Sequence, residues 1–200
     1  MPIEIHTIGI LIIERDTANI WKNLDIDIRN KILSYRGFSG IHWPFFDEWK
    51  RENKNKEVFN LYNGTARLSD LDRIVDYYKW VKNRTTEIVD LLAISFTDTI
   101  LDFSFKNFKF IGYDIGVIDE YEEPIYFSAI LNEIRVNGNS NFKDVERKLN
   151  GKYLFDNKED CFEYLNAREK AFKEGETIYI ETAYETNQYI VLPVFLYIKI

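Results

Sequence analysis

The chain has little with which to staple itself or to hold a metal: one cysteine, two histidines and one methionine in 200 residues. The single Cys161 cannot close an intrachain disulfide, which favours a reducing compartment. His6 and His42 belong to no H-E-x-x-H, H-x-H or Cys/His pattern with zinc spacing, so both read as structural residues and no metal or cofactor is expected. No apolar run approaches the ~18 residues of a membrane span. No Lys/Arg region precedes the apolar stretch Ile8–Ile13 and no small-residue cleavage site follows it, so no signal peptide is expected. A cytoplasmic protein that does not engage the membrane is the resulting expectation. Positive charge is also short: Lys and Arg total 26 against 33 Asp and Glu, a net of −7. A nucleic-acid binder needs cations to displace condensed counterions, so no nucleic-acid partner is expected.

What the chain does have is apolar mass. It is 46% hydrophobic and 16% aromatic. A chain of this length buries roughly 70% of its unfolded surface and needs no disulfide or metal to fold. With no internal repeat, low-complexity tract or linker, residues 1–200 read as one α+β domain. Several helices pack on a mostly antiparallel sheet that includes a C-terminal hairpin.

The pattern assigns the elements. Glu4–Glu14 is β-branched and apolar and reads as a strand. Ile20, Leu24, Ile28 and Ile32 recur every four residues and predict a helix over Ile20–Tyr35. Gly37–Trp49, with two glycines and a proline, reads as a loop packed by aromatics with at most one helical turn. Ser69 is placed to cap a helix with Leu71, Ile74, Val75, Tyr78 and Val81 on its apolar face. Thr85 or Thr86 starts a further predicted helix holding Ile88, Leu91, Leu92 and Phe96. Lys106–Tyr113 reads as a short strand ended by Gly112. Asn141 is placed to cap a short helix through Leu149. Asp156 and Glu159 resemble a capping box ahead of Cys161, Phe162, Leu165 and Phe172, with Gly175 at the C-terminal cap. Thr177–Tyr184 and Gln188–Ile200 form the expected hairpin.

Catalytic equipment is scarce. No G-x-S-x-G elbow occurs. Lys148–Lys152 lacks the glycines and hydroxyl of a phosphate loop, and Gly112 with Gly116 does not make G-x-G-x-x-G. Cys161 falls on the apolar side of a capped helix and reads as a buried, inert thiol. The carboxylate pairs Glu181/Glu185 and Asp98/Asp102, and Asp114 after its strand, are the candidates for acid–base work. With 33 acids in the chain, such spacings arise by chance. A hydrolase built on one of these carboxylates, or a small-ligand or interaction domain, is kept as the alternative reading.

One stretch stands apart. Phe110–Ile134 (FIGYDIGVIDEYEEPIYFSAILNEI) holds Asp114, Asp119, Glu120, Glu122, Glu123 and Glu133 and no Lys or Arg. A solvated loop that aids solubility is the plainest reading. A focused acidic patch can also steer a basic partner and speed its encounter. The unit Phe110-Ile-Gly-Tyr-Asp114, followed by Phe127-Ser-Ala-Ile-Leu-Asn-Glu133, resembles bacterial immunity proteins of polymorphic toxin systems, including those of contact-dependent inhibition. The resemblance spans about 30 of the 200 residues. It implies tight binding and occlusion of a cognate toxin domain, with no catalysis. Nuclease toxins are basic, and an acidic, tyrosine-bearing surface complements them. The partner-binding residues expected on this reading are Asp114, Asp119, Glu120, Tyr121, Glu122, Glu123 and Tyr126.

Overall fold

The structure, a computed structural model, describes residues 8–14, 43–54, 66–85, 89–95, 107–118, 148–150, 152, 154–174 and 188–198. Among them, strands β1 (Ile8–Glu14), β2 (Ala66–Arg67), β3 (Val89–Ser95), β4 (Phe108–Ile118) and β5 (Gln188–Tyr197) form one sheet in the order β2-β1-β3-β5-β4. Every pairing in it is antiparallel. Helices α1 (Trp43–Glu52), α2 (Leu71–Lys82) and α3 (Lys158–Lys173) complete an α+β architecture. The predicted helix over 20–35, the strand 177–184 that would complete the hairpin, Gly175 and residues 141–147 of the predicted helix through Leu149 lie outside the described residues. Leu149 itself is described and does not end a helix: it forms an antiparallel bridge with Phe155.

Helix α2 follows its pattern. Leu71, Ile74, Tyr78 and Val81 are buried, and Tyr77 joins them. The cap differs: Asp70 precedes the helix without a side-chain cap bond, and its carboxylate instead accepts a hydrogen bond from Arg73 at 3.1 Å.

Two elements differ in type from the expectation. The stretch read as an aromatic loop contains α1, because Pro44 lies in its first turn, where the missing N–H has no intrahelical partner to lose. Phe46 and Trp49 then fall three residues apart and both are buried. The helix expected after Thr85 is strand β3 over Val89–Ser95. Its residues alternate between two covered faces. Val89, Leu91 and Ala93 join the core of α1 and α2 with Phe108 and Phe195, while Leu92 and Ile94 on the other face are 0% exposed. A strand buried on both sides carries a continuous apolar run, which mimics helical spacing.

Gly112 does not end β4. The strand runs on to Ile118, with a register shift against β5 between Phe110 and Gly112. Gly112 sits at φ +141°, a conformation that side chains rarely adopt. Such a bulge bends a strand without terminating it.

The α3 cap is one residue later than expected. Asn157 Oδ1 accepts the Asp160 N–H at 2.9 Å, and Asn157 Nδ2 donates to the Asp160 carboxylate at 2.6 Å. Cys161 is buried on this helix, as its position on the apolar side implies, and Tyr164 is buried with it. Phe162, placed on the apolar face by the sequence, is instead 47% exposed, with the Lys158 ammonium 5.7 Å from its ring centroid. The α3 stripe is therefore set by Cys161 and Tyr164, three residues apart.

Candidate functional site

Strand β4 brings the chain to the acidic segment, so the candidate site is best read outward from it. Asp114 lies in β4 opposite Leu192 and is 1% exposed. It is therefore a core residue and not part of an exposed acidic surface, which corrects its placement among the partner-binding residues. Burial is possible because both edges of β4 are in use there. β5 pairs on one side, and Tyr113 exchanges backbone hydrogen bonds with Phe155 on the other, at 2.8 and 2.9 Å. The carboxylate is hydrogen-bonded where it lies: Oδ1 accepts the Ile115 N–H at 2.8 Å.

Cys161 is 0% exposed, and its Sγ lies 3.8 Å from the Asn157 carbonyl. Burial pushes its pKa well above the ordinary range, and the negative charges of Asp114 and Asp160 push it further. A thiol so placed stays protonated and is a poor nucleophile. The remaining expected partner-binding residues, Asp119, Glu120, Tyr121, Glu122, Glu123 and Tyr126, lie outside the described residues, as do Asp98, Asp102, Glu181, Glu185, His6 and His42. The acidic run begins at the residue after the last of β4, Ile118, which is itself paired with Gln188 of β5.

The other edge of this stem carries a bracket that the sequence did not announce. Asn150 Nδ2 donates to the Ile111 carbonyl and to Asp156 Oδ1, each at 2.9 Å. Its Oδ1 accepts the Lys152 N–H at 2.8 Å and the Leu154 N–H at 3.3 Å. All four hydrogen-bonding positions of one carboxamide are thus filled. The Asn150 N–H also donates to the Leu154 carbonyl at 2.8 Å. Asn150, Leu154 and Phe155 are thereby docked on Ile111–Tyr113, over Gly112. An added Cβ at Gly112 would stand 2.7 Å from Leu154 Cβ, 2.8 Å from the Phe155 oxygen and 3.0 Å from Asn150 Nδ2. Lys148, just before Asn150 in the chain, pairs with Glu163 and lies 3.5 Å from Asp160 of α3. In the sequence the available signal is the pair Asn150-Gly151, a combination that favours turns.

A second polar cluster closes the seam between α1 and α2. Glu52 accepts from Trp80 Nε1 at 2.9 Å and from the Arg84 guanidinium at 2.7 and 2.9 Å. Arg84 also lies over the Trp80 ring at 3.9 Å. The Trp80 bond, working against burial and helped by Arg84, holds the Glu52 carboxyl below its ordinary range. Each group here satisfies another, which is the pattern of a structural staple. Among the described residues no group of three or more His, Cys, Asp or Glu is placed to hold a metal ion. Among them, too, no helix is long and apolar enough to cross a membrane. No family model matches the chain, and no curated protein or solved structure matches it.

Proposed function

We propose that this chain is an immunity-type inhibitor. It binds a basic, nuclease-type toxin domain and occludes it through the acidic segment that follows β4. The observation that carries the reading is the segment's composition at that place in the chain. Asp119, Glu120, Glu122 and Glu123 surround Tyr121, with Tyr126 close behind and no Lys or Arg between them. The segment leaves a strand that is paired with β5 up to its last residue and bracketed on its other edge by the Asn150 turn. A stem held on both edges limits the ordering needed on binding, and Pro124 within the segment stiffens it further. Acids of this density supply long-range attraction, while tyrosines supply the apolar contact that anchors interface centres.

The reading assigns the chain no chemistry of its own. A hydrolytic role for Asp114 would require its carboxylate to reach a substrate, and at 1% exposure it does not. The test is co-expression with a basic, nuclease-type toxin domain, beginning with any that is encoded beside this chain. Rescue of growth, together with a stable complex of the two purified proteins, is the expected result. Unrelieved toxicity with both proteins expressed in folded form would overturn the proposal.

A further inference from the structure

Strand β4 ends the strand order of the sheet, and an edge strand presents backbone N–H and C=O groups to whatever chain comes alongside. We propose that Asn150, Leu154 and Phe155, backed by α3, guard that edge against self-association. Asn150 is the latch of the guard, and once the latch is released the β4 edges of two copies of this chain pair with each other. The inference is independent of the reading of the acidic segment.

The guard closes the groups that an incoming strand would use. Tyr113 stands opposite Pro193 of β5, which has no N–H to give, and its own N–H and C=O turn away from β5. Both are taken by Phe155, at 2.8 and 2.9 Å, and the Ile111 carbonyl is taken by Asn150 Nδ2 at 2.9 Å. Gly112 between them carries no Cβ, and a Cβ there would meet Leu154, Phe155 and Asn150 at 3.0 Å or less. The absence of that one carbon lets the guard sit against the strand. The guard is also tied to itself and to α3. Leu149 bridges to Phe155, the Phe155 ring lies 5.8 Å from that of Tyr164, and Lys148 pairs with Glu163. Opening at Phe155 therefore loosens the packing over Cys161 on the same helix, a residue that is buried while the guard is closed.

Asn150 joins the two sides. Its Oδ1 holds its own segment through the Lys152 and Leu154 amides, and its Nδ2 reaches across to β4. Without the carboxamide, the Ile111 carbonyl and both amides lose these bonds, at a cost that favours opening. The occupant of the opened edge is a second copy because an antiparallel edge is complementary to itself. Two β4 strands related by a two-fold axis at Tyr113 exchange the same pair of backbone bonds that Phe155 now makes. Residues 110–118 hold one charged side chain, Asp114, which is buried within its own sheet, so little like charge opposes the pairing.

The test compares the parent with Asn150→Ala, at about 0.3 M salt to screen the overall negative charge. Labelling of Cys161 by a thiol reagent under native conditions should be at least about tenfold faster in the variant, while the Leu92 and Ile94 amides of β3 keep their protection from hydrogen exchange. Sedimentation should show the variant dimerising over a range of concentration in which the parent does not. Within that dimer the Tyr113 amide should regain protection as concentration rises, whereas the Phe155 amide stays exposed to exchange. A variant that labels faster yet does not associate would overturn the proposal, as would a dimer in which Tyr113 gains no protection. If the variant does not fold, the parent in sub-denaturing urea decides. Tyr113 and Phe155 should then exchange through a smaller opening than Leu92 and Ile94, and one common opening for all four would refute a separable guard.

Discussion

At the scale of single residues, two positions concentrate the physical constraints, and each gives a prediction. Gly112 combines a φ of +141° with three neighbours within 3.0 Å of where a Cβ would be. The backbone strain alone is worth about 1–3 kcal/mol, and the obstructing atoms include a backbone oxygen that cannot swing aside. Gly112→Ala should therefore lower stability by roughly 3 kcal/mol, seen as a drop of about 6–12 °C in the thermal midpoint by circular dichroism. Cys161 gives a pH dependence instead. Its thiol is neutral and buried in the folded chain, with a pKa pushed above the ordinary value of 9.0. On unfolding it returns to that ordinary value. The group's contribution is thus fully present below pH 9.0 and declines as pH rises toward the folded pKa. Each such group steepens the loss by at most about 1.4 kcal/mol per pH unit. Tyr77, raised chiefly by burial, adds a second decline that starts from its ordinary value of 10.0. Urea titrations across this range should show stability falling from about pH 9 in the parent chain and from nearer pH 10 in Cys161→Ala. Identical profiles for the two proteins would remove Cys161 from the account.

Elements show where the sequence speaks and where it does not. Helix α2 was legible because its apolar residues recur with helical spacing along a polar opposite face. Strand β3 was not, because Leu91, Leu92, Ala93 and Ile94 are all buried, and burial on both faces erases the alternation that marks a strand. Helix α1 was hidden behind Pro44, a residue that breaks helices everywhere except in the first turn. The expectation of an exposed acidic surface failed at Asp114 for a related reason. The pattern Gly-Tyr-Asp says nothing about Asn150, Leu154 and Phe155, some forty residues on, which cover the strand's second edge. The difference in burial between elements also ranks their contributions. Leu92 is 0% exposed at the centre of the sheet, so Leu92→Ala should cost about 2–5 kcal/mol. The α1–α2 staple lies in solvent, with Arg84 and Glu52 side chains 36% and 43% exposed. Arg84→Ala should therefore cost only about 1 kcal/mol or less, including the loss of its stacking on Trp80. Chemical denaturation of the two variants side by side measures the contrast. An Arg84→Ala loss as large as that of Leu92→Ala would mean that the seam between the helices, and not the doubly covered sheet, limits stability.

For the whole molecule the governing quantity is charge. The net of −7 is almost matched by the six acids of Phe110–Ile134. One of the six, Asp114, is buried and contributes little to the field outside. If the segment steers a basic toxin domain, its charges act mainly on the rate of encounter, and its aromatic anchors act on the lifetime of the complex. The two effects separate experimentally. Reversing Glu122 and Glu123 to lysine should lower the association rate at low salt by about tenfold or more. Tyr121→Ala should leave that rate nearly unchanged and shorten the lifetime of the complex by roughly thirtyfold, the effect of a central anchor worth about 2 kcal/mol. Asp114→Asn should leave the association rate where it was, because a charge held in the core is already withdrawn from the partner's approach. Salt supplies the independent check. The screening length shrinks from about 10 Å at 0.1 M to about 3 Å at 1 M, so the parent's association rate should fall steeply over that range while that of the charge-reversed chain changes little. Stopped-flow mixing with the toxin domain measures all four. An association rate that ignores both the reversal and the salt would reduce the acidic run to a solubilising segment and leave the inhibitor reading without physical support.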